Sequence, residues 1–346
     1  PPMWPFRRAD PLAGTSQPLR NDPSVPLASI MIRSMDRKTL PRALLSAARQ
    51  SWGNVEIVVV AACGRQHKPL PDNILGRPLR MVWPDAGQRL TRPLSANAAV
   101  EAARGEWMGF LDDDDELLPQ HLTTLLGAPR PGRERVIYAS ASARDKHGKA
   151  FTRVGMPGNH AQLYFHSRTL PCATVFHRSL IDEGLRFDAD FPNSEDHDFQ
   201  IACATRTAFL FVDAVVAIWN SEIGTSGSGF GANEDRQMFN ESVARVRRKW
   251  HAAFERWLGK PDNLLEAGKF YLQGGDLGPA LECLERALVL RPADGNALNL
   301  CGLANFHAGD IDRAEDLLTK AQKRLPKHNG IRENLAMVRA QRGASR

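Results

Sequence analysis

Cysteine is scarce in this chain of 346 residues, which holds only Cys63, Cys172, Cys203, Cys283 and Cys301. They are odd in number, widely spaced and never set as C-x-x-C. That excludes a disulfide framework and a cysteine zinc site, and it suits a reducing compartment. Long apolar runs are missing as well. The longest, Ala208 to Trp219, is interrupted by Asp213 and is too short to cross a bilayer, and no secretory signal pattern is visible. The expectation is a cytoplasmic protein with no transmembrane segment, peripheral contact with the inner membrane face staying open. No basic–aromatic pattern of a nucleic-acid module appears. Arg245, Arg247, Arg248 and Lys249 form the densest basic cluster, for which a solvated helix face is the plainer reading. The glycine-serine stretch Gly224 to Gly231 lacks the strand–turn–helix spacing of a phosphate loop. It reads as a linker, with a lid over a ligand as the alternative.

What is present is an ordinary globular composition, 42% hydrophobic and 24% charged, in a chain long enough for two domains. Residues 1–26 carry seven prolines and read as a flexible tail. In that tail Trp4 and Phe6 stand beside Arg7 and Arg8, as a weak docking tag would. Strands are expected at Leu27 to Ile32, Val55 to Ala62, Met81 to Trp83 and Thr174 to His177. Helical spacing follows the first of these at Leu40, Leu44, Ala47 and Ala48, and Ser95 to Ala103 reads as a small-residue helix. Strand–helix alternation of this kind predicts a largely parallel, doubly wound α/β sheet. His160, His166 and His177 read as surface or satisfied core histidines.

The stretch from Trp107 to Glu116 stands out. A buried-strand pattern, Trp107 to Leu111, runs into four aspartates and a glutamate, after which Leu117, Leu118, Leu122, Leu125 and Leu126 show helical spacing. Acidic runs are usually solvated loops. Here the run sits at a strand C-terminus, where open α/β sheets bind ligands. Two carboxylates about 5 Å apart repel by about 3 kcal/mol at an effective dielectric of about 20, a crowding that a divalent cation relieves. Alternate residues of an extended segment give Asp112 and Asp114 a common side, and a one-residue slip would substitute Asp113 or Asp115.

Three segments in order, Ser29 to Val60, Leu94 to Pro119 and Phe187 to Phe199, resemble the successive signatures of family 2 glycosyltransferases over residues 27–230. The resemblance implies a GT-A fold (a Rossmann-like mixed sheet), a nucleotide-sugar donor with a UDP-sugar foremost, Mn2+ or Mg2+, and inversion at the anomeric carbon. Asp112 and Asp114 match the family's D-x-D, which implies metal ligation, Asp114 being the principal ligand. Donor contacts fall on Asp112, Asp113, Ser34, Asp36 and Asn97. Glu195 and Asp196 match the E-D motif, with Asp196 as catalytic base. Departures accompany the matches. Ala61 and Ala62 stand where the family shows paired aspartates, and Ala96 stands where it has an arginine, for which Arg89 or Arg92 would substitute. A histidine often found near the end of the domain has no counterpart around Trp219, Asn220 and Ser221.

Farther on, Asn233 to Leu258 reads as one long helix, and then the sequence repeats. Leu264, Gly268, Tyr271, Ala280, Leu284, Ala287 and Pro292 recur 34 residues later as Leu298, Gly302, Asn305, Ala314, Leu318, Ala321 and Pro326. This resembles tetratricopeptide repeats, small residues standing where paired helices cross, with Ile331 to Arg342 as a capping helix. The expected organisation is a tail (1–26), a GT-A domain (27–231), a connecting helix (232–260) and two repeats with their cap (261–346). The function expected is metal-dependent sugar transfer to a protein, peptide or surface-glycan acceptor, the repeats holding the acceptor, a partner or a second copy. A binding scaffold that has lost catalysis is the alternative, and phosphoryl chemistry on a related sheet ranks third.

Overall fold

A computed structural model of the chain describes residues 21–84, 87–158, 160–165, 167, 169–224, 229–231 and 234–344. Trp4, Phe6, Arg7, Arg8, His166 and the centre of the glycine-serine stretch lie outside the described residues. The chain divides into two compact units, residues 1–157 with 169–242, and residues 158–168 with 243–346.

The first unit is built on ten strands, β1 (Ala28–Ser34), β2 (Val55–Ala61), β3 (Asn73–Ile74), β4 (Arg77–Val82), β5 (Trp107–Asp112), β6 (Glu116–Leu117), β7 (Val136–Arg144), β8 (Ala150–Val154), β9 (Thr174–His177) and β10 (Phe209–Trp219). Its helices are α1 (Leu40–Ala48), α2 (Arg92–Ala102), α3 (His121–Leu126), α5 (Ser179–Asp182) and α6 (Glu195–Ala204), while α4 (His160–Phe165) belongs to the second unit. The strands form one mixed sheet in the order β3-β4-β2-β1-β5-β9-β7-β10-β6, with β8 paired to β7. Strands β4, β2, β1 and β5 run parallel, and β9 lies antiparallel to both β5 and β7. The expected doubly wound α/β sheet is therefore present, with an antiparallel insertion at its centre.

The parallel strands are buried on both faces, which is why they read as unbroken Val/Ile runs. Ile30, Ile32, Ile57, Val59, Trp107 and Leu111 join α1 and α3 in one apolar layer. Met31, Val58 and Met108, from alternate positions on the same strands, are fully buried as well. One expectation fails beside the acidic run. Leu117 does not begin a helix: Glu116 and Leu117 pair antiparallel with Ile218 and Ala217, and helix α3 starts at His121. The backbone of Leu118 likewise donates to Val216, so the hydrogen bonds of this edge outrank the leucine spacing.

Helix α7 (Arg236–Leu258) is followed by α8 (Pro261–Gly274), α9 (Leu277–Leu290), α10 (Gly295–His307), α11 (Ile311–Arg324) and α12 (Asn329–Ala344). Within the second unit Tyr164 of α4 stacks on Phe254 of α7 at 3.9 Å. The recurring small residues mark close helix crossings. A Cβ on Gly268 would lie 2.5 Å from Cγ of Leu284, and one on Gly302 would lie 2.8 Å from Cγ of Leu318. The tight turns after α8 and α10 are made by Gly275 and Gly309 at φ of 81° and 87°. Replacing Gly268 with valine is therefore expected to destabilise this unit by about 1–3 kcal/mol through overpacking. Thermal unfolding of the variant checks this, and an unchanged melting temperature would show that the crossing has slack.

Candidate active site

The parallel register of β1 and β5 sets Arg33 directly beside Asp112, at the C-terminal edge where ligands of open α/β sheets bind. Arg33 donates from Nε and Nη2 to the two Asp112 oxygens at 2.9 and 3.0 Å, and its Nη1 reaches Glu195 Oε1 at 2.6 Å. The guanidinium also lies over the Phe110 ring, 5.5 Å from its centroid. Burial disfavours its charge, but Asp112 and Glu195 more than compensate and hold it firmly protonated.

The four consecutive aspartates have four different surroundings. Burial opposes ionisation of Asp112, yet Arg33 and Arg92 outweigh it and hold this carboxyl below the usual range. Asp113 is fully buried and faces the loop after β1. It accepts from Met35 N at 2.7 Å and Ser34 Oγ at 3.2 Å and is paired with the Arg37 guanidinium. Asp114 is pushed up to about 6 by burial and then by the neighbouring Asp112 charge. Asp115 is pushed well above the ordinary range by burial, then by repulsion from Asp114 and Asp112, although Asn220 N donates to it at 2.9 Å. Oxygen atoms of Asp112, Asp114 and Asp115 lie within 4.8 Å of one another. Such an all-carboxylate set suits a hard divalent cation, which would offset both the burial and the mutual repulsion that raise two of its members. The best-placed ligands are Asp114 and Asp115, because Asp112 already spends both oxygens on Arg33.

These groups line a cleft of about 520 Å³ together with Arg37, Arg89, Arg92, Cys172, Asp196 and Asn220. Asp196 sits in the first turn of α6, where the helix dipole favours carboxylates. The residue before that helix, Ser194, has a φ of 60°, and Asp36 in the loop after β1 has a φ of 56°. Side chains rarely accept that conformation, and such residues gather at functional sites.

The structure thus brings Asp112, Asp114 and Asp196 to one cleft and leaves other candidates outside its lining. Asp113 is fully buried and braces the loop after β1. Ser34 is fully buried, with His67 Nε2 2.7 Å from its hydroxyl, and Asp36 accepts from Lys68 N at 3.3 Å. Asn97 exchanges both its amide groups with the Phe187 backbone at 2.8 Å, tying α2 to the segment before α6. Glu195 lies fully buried beneath the cleft, bound by Arg33 and by Arg92 Nε at 2.8 Å. Sequence reasoning missed Arg33, which lies just past the strand expected at Leu27 to Ile32, and Arg37. It offered Arg92 only as one alternative. Pro93 beside Arg92 was the available signal, since proline favours a first helical turn and α2 begins at Arg92. Asn220, in the segment searched for a histidine, binds Asp115 through its backbone and the Asp114 carbonyl through its side chain at 2.6 Å.

The raised Asp114 group has a consequence for stability. Its folded value of about 6 exceeds the ordinary 3.8, so the native state holds this proton more tightly than the unfolded chain, and stability falls as pH rises from about 4 to about 6. Without divalent cations at pH 7.5, Asp114→Asn is expected to be more stable than the wild type by up to about 3 kcal/mol, and to gain less from added Mn2+. Denaturant unfolding with and without Mn2+ checks both. A less stable apo variant would show that Arg37 already compensates the charge.

The chain is similar to several known proteins. Residues 88–187 match the family model described as Glycosyl transferase family 2. The putative colanic acid biosynthesis glycosyl transferase WcaA of Escherichia coli is 25% identical over 183 residues, covering 50% of this chain and 64% of that protein. An uncharacterized glycosyltransferase of Haemophilus influenzae is 27% identical over 101 residues, 29% of this chain and 33% of that one. The uncharacterized protein y4gI of Sinorhizobium fredii is 24% identical over 249 residues, 68% of this chain and 26% of its own length. The chain therefore spans less than two thirds of each of these relatives. Among solved structures, S. aureus TarS 1-349 in complex with UDP-GlcNAc aligns with a TM-score of 0.47 at 14% identity over 92% of both chains.

Proposed function

We propose that the protein is a metal-dependent, inverting glycosyltransferase that moves a sugar from a nucleotide-sugar donor, a UDP-sugar foremost, to a protein, peptide or surface-glycan acceptor. The observation that carries this reading is the meeting of Asp114 and Asp196, from distant parts of the sequence, in one cleft within a chain whose residues 88–187 match the family 2 model. In this reading Asp114 and Asp115, with Asp112 beside them, would hold Mn2+ or Mg2+. When bound, the cation neutralises charge growing on the leaving diphosphate. Asp196 takes the proton from the acceptor hydroxyl while its oxygen bonds to the anomeric carbon. The bond from that carbon to the diphosphate breaks on the opposite face, and inversion follows. Arg92 lines the same cleft, and Asp196 is among the charges that favour its protonated form.

The helical region supports a further part of the proposal. Its 34-residue repeat, with glycines at the crossings of α8 with α9 and α10 with α11, suits a tetratricopeptide-type module that holds the acceptor, a partner protein or a second copy. No helix among the described residues is long and apolar enough to cross a membrane.

A binding protein that has lost catalysis is the second reading. It is favoured by Ala62, whose methyl group lines the cleft where an aspartate pair would read the donor's base. Donor hydrolysis across UDP-, GDP-, dTDP- and CMP-sugars, with and without Mn2+, separates the two. Metal-dependent nucleotide release is expected from the wild type and is lost in Asp114→Ala. Asp196→Ala is expected to keep donor binding while transfer falls by about 10²–10⁴-fold, the usual contribution of a general base. Nucleotide binding without release in the wild type would favour the second reading.

A further inference from the structure

Four charged residues at the cleft alternate in sign along one hydrogen-bonded chain. Asp112 takes Nε and Nη2 of Arg33, Arg33 gives Nη1 to Glu195 Oε1 at 2.6 Å, and Arg92 Nε reaches the same oxygen at 2.8 Å. Glu195 is fully buried and outside the lining, whereas Arg33, Asp112 and Arg92 all line the cleft, Arg33 at only 7% exposure. The four come from β1, β5, α2 and α6. Glu195 Oε2 is buried with no hydrogen-bond partner, so the carboxylate is held by its arginines through one oxygen only. Stability alone is a poor reason for such an arrangement. A buried ion pair gains little over apolar side chains of the same volume, while the loss of one member strands a charge. The arrangement does tie Asp112, the first member of the acid cluster, to the turn that carries Asp196.

We propose that Glu195 is a positioning residue: by holding Arg33 on Asp112 and Arg92 beside Asp196, it sets the potential at the acid cluster and hence the cluster's grip on a divalent cation. The proposal rests on the glycosyltransferase reading for the purpose of that cation, but cation binding can be measured without turnover. With Glu195 neutral, Arg33 and Arg92 lose their shared counter-charge, and their field, added to that of Arg37, opposes a cation at Asp114. A carboxamide has nearly the same shape as the carboxylate, so packing is conserved and only the charge is removed.

The experiment is Mn2+ titration of the full chain, free of nucleotide, for wild type, Glu195→Gln, Glu195→Asp, Arg92→Gln and the double variant Glu195→Gln/Arg92→Gln. Glu195→Gln is expected to bind Mn2+ on the order of tenfold more weakly. Glu195→Asp should retain most of the wild-type affinity. The double variant should recover most of the loss because its charge balance is restored, while its sugar transfer stays low. Wild-type affinity in Glu195→Gln, or a double variant as weak as that single one, would overturn the proposal. If Glu195→Gln does not fold, Arg92→Gln decides, being expected to bind Mn2+ several-fold more tightly than wild type; unchanged affinity there overturns the proposal. A wild type that binds Mn2+ but transfers no sugar would remove the enzymatic reading and leave this link tested by the same titration. A wild type that binds no Mn2+ would overturn both the metal assignment and the link.

Discussion

The pairing of Arg33 with Asp112 is the constraint on which the rest of the cleft depends. Two adjacent parallel strands end in register with a cation on one and an anion on the other, and the guanidinium spans both carboxylate oxygens. Bidentate pairing of this kind fixes orientation as well as distance. It anchors the start of an acidic turn that would otherwise be four repelling carboxylates at the edge of a buried sheet. It also gives Arg33 a fixed position from which to meet Glu195, some 162 residues away in sequence.

Once Asp112 is fixed, the other acids divide the remaining work. Asp113 turns inward and organises the loop after β1 through Met35, Ser34 and Arg37. Asp115 is capped by the backbone of Asn220, and the Asn220 side chain holds the Asp114 carbonyl, so the end of β10 braces the turn. Asp114 has one guanidinium at 3.9 Å and Asp115 has none among the described residues, and both carboxyls are raised, so these two gain most from a cation. The division follows from electrostatics: neighbouring carboxylates in a shielded cleft cannot all ionise without cations between them.

The sheet was largely legible in the sequence, because doubly buried strands such as Val55 to Ala61 leave a continuous apolar trace. The 34-residue repeat was legible for a related reason, since close helix crossings demand small residues at fixed spacing. The arginines were not. Arg33 looks like a loop residue until the register of β1 on β5 is known, and nothing in local sequence states that register. Glu195 and Asp113 were legible as acids of the right type, but their burial, and so their role as organisers, depends on partners from other elements. Leu117 misled because leucine spacing carries no information about the edge hydrogen bonds that claim it. The assignment of α4 to the helical unit was hidden for the same reason, as the stacking of Tyr164 on Phe254 joins segments far apart in the chain.

The central claim is that Asp114 and Asp196 serve one ligand in one cleft. The most direct measurement is a crystal structure of the protein with Mn2+ and a nucleoside diphosphate, collected at a wavelength where manganese scatters anomalously. The account predicts an anomalous peak against the Asp114 carboxylate, with the diphosphate in the cleft that Asp196 lines. A nucleotide bound elsewhere, or a cleft containing nucleotide but no manganese at Asp114, would contradict it.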